Sequence, residues 1–280
     1  MTAPLPIEPN HRVTFAVRHE DEHLLVVDKP ARVVTQPGVG HEHDTLLNGL
    51  FARHGQQLAQ LGAARDYGLV HRLDRMTSGL VAVARTPEAY DRLREAFAQR
   101  EVRKFYLAVC HKAPREHTGL IKRALLERTA KVRRYTSTKT SAISKEGKPA
   151  ATGYRVLAVS KIGTALIEAR PLTGRLHQVR VHLASIGAGI LGDETYGPTS
   201  TAAAANRLAL HAHRLAFDHP VTGEPLDVRS PPPKDLRALL RRHGLPLPTE
   251  LPTEPPAEMA EGPATEPPDE ADQHRGNAAP

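Results

Sequence analysis

The chain is 280 residues long, 25% charged and 40% hydrophobic, the composition of a soluble globular protein with one sizeable core. No apolar run reaches the roughly eighteen residues of a membrane span, the N-terminus lacks the order of a signal peptide, and the single cysteine, Cys110, allows neither an internal disulfide nor a thiolate cluster for zinc. The expected compartment is the cytoplasm. The net charge of +7 is uneven, because residues 245–280 hold eight acids against Arg275 alone and carry −7, which leaves +14 on residues 1–244 and suits a phosphate-rich partner.

In chain order, strand-like runs are expected at Val13–Val17 and Leu24–Asp28, followed by an amphipathic helix at Asp44–Leu61. Residues 68–85 place a polar loop before the apolar run Leu80–Ala84, which reads as a strand. A helix at Pro87–Arg100 follows, with Thr86 as N-cap and Pro87 at its first position. Further strands are expected at Lys104–Val109, Tyr154–Val159, Ala165–Ala169 and Leu208–Phe217, and a helix at His177–Ile186 stops before Gly187. Short turns such as His219–Pro225 favour antiparallel pairing, so the expected class is α+β: a mixed, mainly antiparallel central sheet flanked by helices.

Residues 122–148 hold nine bases and two acids with few apolar positions. They read as a solvated basic insertion or as an arm that grips phosphates, with Lys131, Arg133 and Arg134 the candidate contacts. Leu245–Pro280 repeats Pro, Glu, Thr and Ala, buries too little to offset the entropy of ordering, and is expected to be a disordered acidic tail behind a folded domain of residues 1–244.

Asp74 lies between Arg72 and Arg75 and beside the small hydrogen-bonding residues Thr77 and Ser78. Such surroundings favour an ionised carboxylate, which can serve as a nucleophile or simply cap a turn and pair with an arginine. Neither His41-Glu-His-Asp44 nor His211-Ala-His213 has the spacing of a helical zinc site. No metal and no cofactor are expected, and the chain is expected to be a monomer.

His71-Arg-Leu-Asp74 followed by Thr77-Ser-Gly-Leu80 resembles the signature of the RluA family of RNA pseudouridine synthases. Leu24–Pro30, Arg103–Ala108, Leu172–His182, Gly189–Asp193 and Leu210–Leu215 resemble further family motifs in the family's order, over roughly residues 12–230. The resemblance implies a catalytic domain with its active site in a central cleft, acting on uridine in structured ribosomal or transfer RNA. It implies Asp74 as the catalytic carboxylate, Arg180 as the arginine that holds it, and Tyr106 as the ring that stacks on the extruded base. Arg72 is expected to fill the gap left by the flipped uridine, and Leu191 and Leu210 to wall the pocket or to pack in the core. His71, Thr77, Arg175, His177 and Gln178 complete the expected substrate contacts; His177 and His182 serve equally well as bonds within the fold.

Near the start, Arg32 and Gln36 stand where the family pattern has Gly and often His. Arg32 is expected to take an ordinary negative φ and so to alter that turn. About a dozen residues precede the first strand, so the core is expected to bind RNA without an appended S4-type domain. Two rival readings are an RNA-binding chaperone, against which the complete Asp74, Tyr106 and Arg180 set argues, and a glycoside hydrolase, which needs a second acid near Asp74.

Overall fold

A computed structural model describes residues 6–133, 136–198 and 205–247, with the backbone alone at 130–133 and 136–138. These residues form two compact units. The first takes in the chain up to Arg103 together with Arg214–Ser230; the second comprises Lys104–His213 and the described residues from Pro231 onward. Strand pairings within each unit are antiparallel and helices flank them, giving an α+β fold.

In the first unit β1 (Ala16–Glu20) pairs with β2 (Leu24–Lys29), and β2 pairs with β3 (Ser78–Ala84) from Leu24↔Ala84 to Lys29↔Gly79. Every residue of β3 is buried, which explains its continuous apolar run. Alternation along the strands sends Leu24, Val26, Leu80, Ala82 and Ala84 to one face, where they pack with Tyr90 and Leu93 of α2 (Pro87–Ala98) and with Leu215 and Phe217. Each large apolar side chain so buried contributes about 1.5–3 kcal/mol. Helix α1 (Leu46–Leu61) starts with a capping box: Thr45 Oγ1 accepts from the Asn48 N–H, and the Asn48 side chain accepts from the Thr45 N–H. Thr86 caps α2 by accepting from the Ala89 N–H at 3.3 Å, with Pro87 in the first turn.

In the second unit the strand order is β4 (Arg103–Cys110), β9 (Ala165–Pro171), β8 (Ala151–Val159), β5 (Thr118–Lys122). Between β5 and β8, β6 (Leu125–Arg133) and β7 (Thr136–Ile143) form a separate two-stranded hairpin. Helix α3 (Gln178–Ser185) follows β9. The strand β10 (Leu210–Asp218) belongs to the second unit up to His213 and to the first from Arg214, where it pairs with β11 (Pro225–Arg229) across the turn that begins at His219. Glu168 on β9 is fully buried between Arg155 of β8 and His213, which sits 3.0 Å away. Burial alone would raise its carboxyl pKa, but the His213 bond and charge and the Arg155 guanidinium outweigh that and hold it below the ordinary value.

Several elements differ from the sequence-based expectation. The first strand begins at Ala16 rather than Val13. Strands β5, β6, β7 and β11 and helix α4 (Lys234–Arg242) are additional: the strands are short or polar, with an apolar periodicity too weak to stand out, whereas α4 is short but carries a clear stripe of Leu236, Leu239 and Leu240 that sequence reasoning missed. The folded part also runs past residue 244. Gly244 at φ 63° closes α4, the Leu245 N–H donates to Leu240 O at 2.9 Å, and the Leu245 side chain is buried, as in a Schellman cap. Beyond Leu247 the expected acidic tail lies outside the described residues.

Candidate active site

The Asp74 loop of the first unit is pinned from beneath. Thr35 Oγ1 donates to Leu73 O at 2.8 Å and accepts from the Leu73 N–H at 3.2 Å. Lys29, the last residue of β2, is fully buried, and its ammonium donates to Pro30 O, Val33 O and Arg75 O at 3.0, 2.7 and 3.4 Å. Asp74 O accepts from the Thr77 N–H at 3.1 Å, so residues 74–77 form a tight turn that feeds directly into β3. Asp74 is half-buried at this turn and Arg72 is exposed. Thr77 is buried, and its hydroxyl has no hydrogen-bond partner among the described residues. His71 Nε2 accepts from the Ala82 N–H at 2.9 Å, and its ring stacks on Phe97 with centroids 4.7 Å apart. That bond leaves Nε2 unprotonated.

The neighbouring turn corrects an expectation. Arg32 has φ 70°, so the left-handed conformation that glycine favours is kept with arginine in it. Lys29 bridges the carbonyls of Pro30 and Val33 on either side, and Arg75 Nε donates to Arg32 O at 3.3 Å. These bonds fix the turn whichever residue occupies it.

In the second unit Tyr106 lies on β4, opposite Ala169 of β9, half-buried on the face away from the buried Phe105 and Leu107. Lys104 shares the Tyr106 parity on the strand, and burial pulls its ammonium down to about 8. Gln178 opens α3 and spends its amide on the preceding loop and on β8: Oε1 accepts from Thr173 Oγ1 and the Arg175 N–H, and Nε2 donates to Ala151 O and Thr152 Oγ1 at the start of β8. Arg175 Nε donates to Pro149 O at 3.3 Å. His177 sits at φ 53° with Nδ1 2.9 Å from Tyr196 Oη, while His182 is buried between Thr152 Oγ1 and Arg123 O. Leu191 and Leu210 are both buried.

Arg180, the third residue of α3 and 9% exposed, makes two 2.8 Å bonds to Asp193, from Nε to Oδ2 and from Nη2 to Oδ1. Its Cζ lies 4.9 Å from the centre of the Tyr196 ring. Neither Asp193 nor Tyr196 is given a role by sequence reasoning, although both stand in the string Gly192-Asp-Glu-Thr-Tyr-Gly197, whose two glycines flank a carboxylate and a ring. Of the expected phosphate contacts, Arg134 and the side chains of Lys131 and Arg133 lie outside the described residues.

Residues 23–185 match the RNA pseudouridylate synthase family. The chain is 42% identical over 237 residues to ribosomal large subunit pseudouridine synthase D of Nitrosomonas europaea, covering 82% of this chain and 65% of that protein. It is 38% identical over 252 residues to the protein of the same name from Zymomonas mobilis, covering 85% of this chain and 76% of the other. Among solved structures, human RNA pseudouridylate synthase domain containing 4 superposes with a TM-score of 0.63 at 26% identity, over 83% of this chain and 94% of that one. Human RNA pseudouridylate synthase domain containing 1 gives 0.61 at 28%, over 81% and 87%. The family match, the register of the motifs along the chain and the shared fold together place this chain in the RluA family of RNA pseudouridine synthases, isomerases of uridine within RNA.

Proposed function

We propose that this chain converts uridine to pseudouridine in the RNA of the large ribosomal subunit, with Asp74 as its catalytic carboxylate. The relatives named for that RNA support the substrate. The observation that carries the role of Asp74 is its display on a turn held by Lys29 and Thr35, beside a buried hydroxyl of Thr77 left unpaired. A buried hydroxyl without a partner costs about 1–3 kcal/mol, a cost that a substrate or carboxylate oxygen arriving at the turn would offset.

Substrate and product have the same composition. The N-glycosidic bond from C1′ to N1 of the base breaks, the uracil turns, a bond from C1′ to C5 forms, and the C5 proton leaves while N1 takes one up, so atoms balance. Asp74 either attacks C1′ or takes a proton from C2′, and both steps require its ionised form. A guanidinium at Arg180 stabilises that charge, and the Tyr106 ring offers a stacking face to the base while its hydroxyl assists removal of the C5 proton. Arg72, exposed beside the turn, takes the place of the flipped nucleotide, where unstacking costs a few kcal/mol. His71, Arg175 and Gln178 contribute by shaping the loops that carry these groups, through the backbone bonds described above.

Asp74→Asn keeps the shape and removes the charge. Tritium release from C5-labelled uridine RNA is expected to fall below detection while RNA affinity, carried by many phosphate and stacking contacts, stays within about two-fold. Substantial release by this variant overturns the assignment of Asp74.

A further inference from the structure

The arginine assigned to the carboxylate is aimed by more than its own helix. Arg180 presents its Nε and Nη2 side to Asp193 in a two-bond fork, and Asp193 is 2% exposed. Asp193 Oδ1 also accepts from the N–H groups of Thr195 and Tyr196 at 3.0 and 3.1 Å, so the carboxylate is fixed before it meets the guanidinium. Burial alone would raise its pKa, but the Arg180 bond and charge and the two backbone donors outweigh this and keep it below the ordinary value. The turn that carries it tolerates no substitute backbone. A Cβ at Gly192, itself at φ +72°, would lie 2.0 Å from Arg207 O, and one at Gly197 would lie 2.5 Å from Asp193 O.

The second support is Tyr196. Its ring lies against the guanidinium, and its hydroxyl accepts the Ser141 N–H of β7 at 2.8 Å while contacting His177 Nδ1. One side chain thus touches the arginine, the residue that precedes α3, and the hairpin.

We infer that Asp193 is the positioning residue for Arg180 and that Tyr196 ties this pair to the β6–β7 hairpin. A fork through the Nε side sets the plane and direction of the guanidinium, and therefore the direction in which its remaining N–H groups point. The ring restricts the same plane from its face. The inference rests on the reading that Arg180 serves the catalytic carboxylate, and the two are separable by experiment.

The full chain would be assayed under single turnover on total RNA carrying C5-tritiated uridine from a strain lacking the gene, with RNA affinity measured in parallel. Asp193→Asn is expected to lower the rate at saturation about ten-fold or more, to leave affinity within about two-fold, and to add nothing on top of Arg180→Ala. Losses that multiply in the double variant overturn the positioning role. A full rate for Arg180→Ala overturns instead the assignment of Arg180. If Asp193→Asn does not fold, Tyr196 carries the test. Tyr196→Phe keeps the ring and loses the bond to Ser141, whereas Tyr196→Leu loses both, so the rate is expected to fall only modestly for the first and by about ten-fold for the second. A leucine variant that turns over like the unmutated chain overturns the inference.

Discussion

Arg32 holds its turn against its own preference. A side chain in the left-handed region costs about 1–2 kcal/mol relative to glycine, and Lys29 and Arg75 hold the surrounding carbonyls in place regardless. Arg32→Gly is therefore expected to raise stability by about 1 kcal/mol, less the extra freedom glycine gives the unfolded chain. Urea denaturation checks this, and an unchanged or lower midpoint would mean that contacts of the Arg32 side chain outweigh the strain. A sequence shows which residue departs from a pattern but not which neighbours impose the backbone. For the same reason Asp74 stands out in its motif, whereas Asp193, in an equally polar string, acquires meaning only when Arg180 is seen to fork onto it.

Elements with a strong apolar signal are legible: β2 and β3 as nearly continuous buried apolar runs, α1 and α2 by buried faces that recur at helical spacing, and β4 by its largely apolar, buried run from Phe105 to Cys110. The β6–β7 hairpin is not, since most of its residues are polar and its ladder, from Leu125↔Ile143 outward, is a two-stranded sheet by itself. A lone hairpin is marginal in water, and this one is secured at its base. Leu125 is buried with Ala150 and Val181, its backbone exchanges two 2.9 Å bonds with Lys148, and Ser141 is held by Tyr196. A Cβ at Gly147 would lie 2.4 Å from the Leu125 carbonyl carbon, so only glycine permits this closure. A hairpin anchored at its base and rich in bases along its length suits a phosphate track. Neutralising Lys131, Arg133 and Arg134 together is expected to lower the slope of log affinity against log salt by up to about two units, at about 0.7 per single-strand contact. An unchanged slope in a filter-binding titration would place the track elsewhere.

Across the whole molecule, the order of the motifs shows the family and with it the fold class, but not the division into two units. The return of Arg214–Ser230 to the first unit depends on pairings far apart in sequence, which no local pattern reports. The charge asymmetry, by contrast, is visible in the bare sequence: −7 on residues 245–280 against +14 on the rest. Because Leu245 closes the cap of α4, a chain ending at Leu247 rather than Gly244 is expected to keep full turnover and to bind RNA more tightly at low salt, once acids that compete for the basic surface are gone. Loss of turnover on that truncation would give the acidic segment a role in the chemistry. Lys29 gives the molecule one more property. An ammonium at 0% exposure, donating to carbonyls of both the Pro30–Val33 turn and the Asp74 loop, reacts with an acylating reagent only when those two segments part. It is thus a footprint for local opening, and the extent of its labelling reads out how often the Asp74 turn comes loose while the rest stays folded.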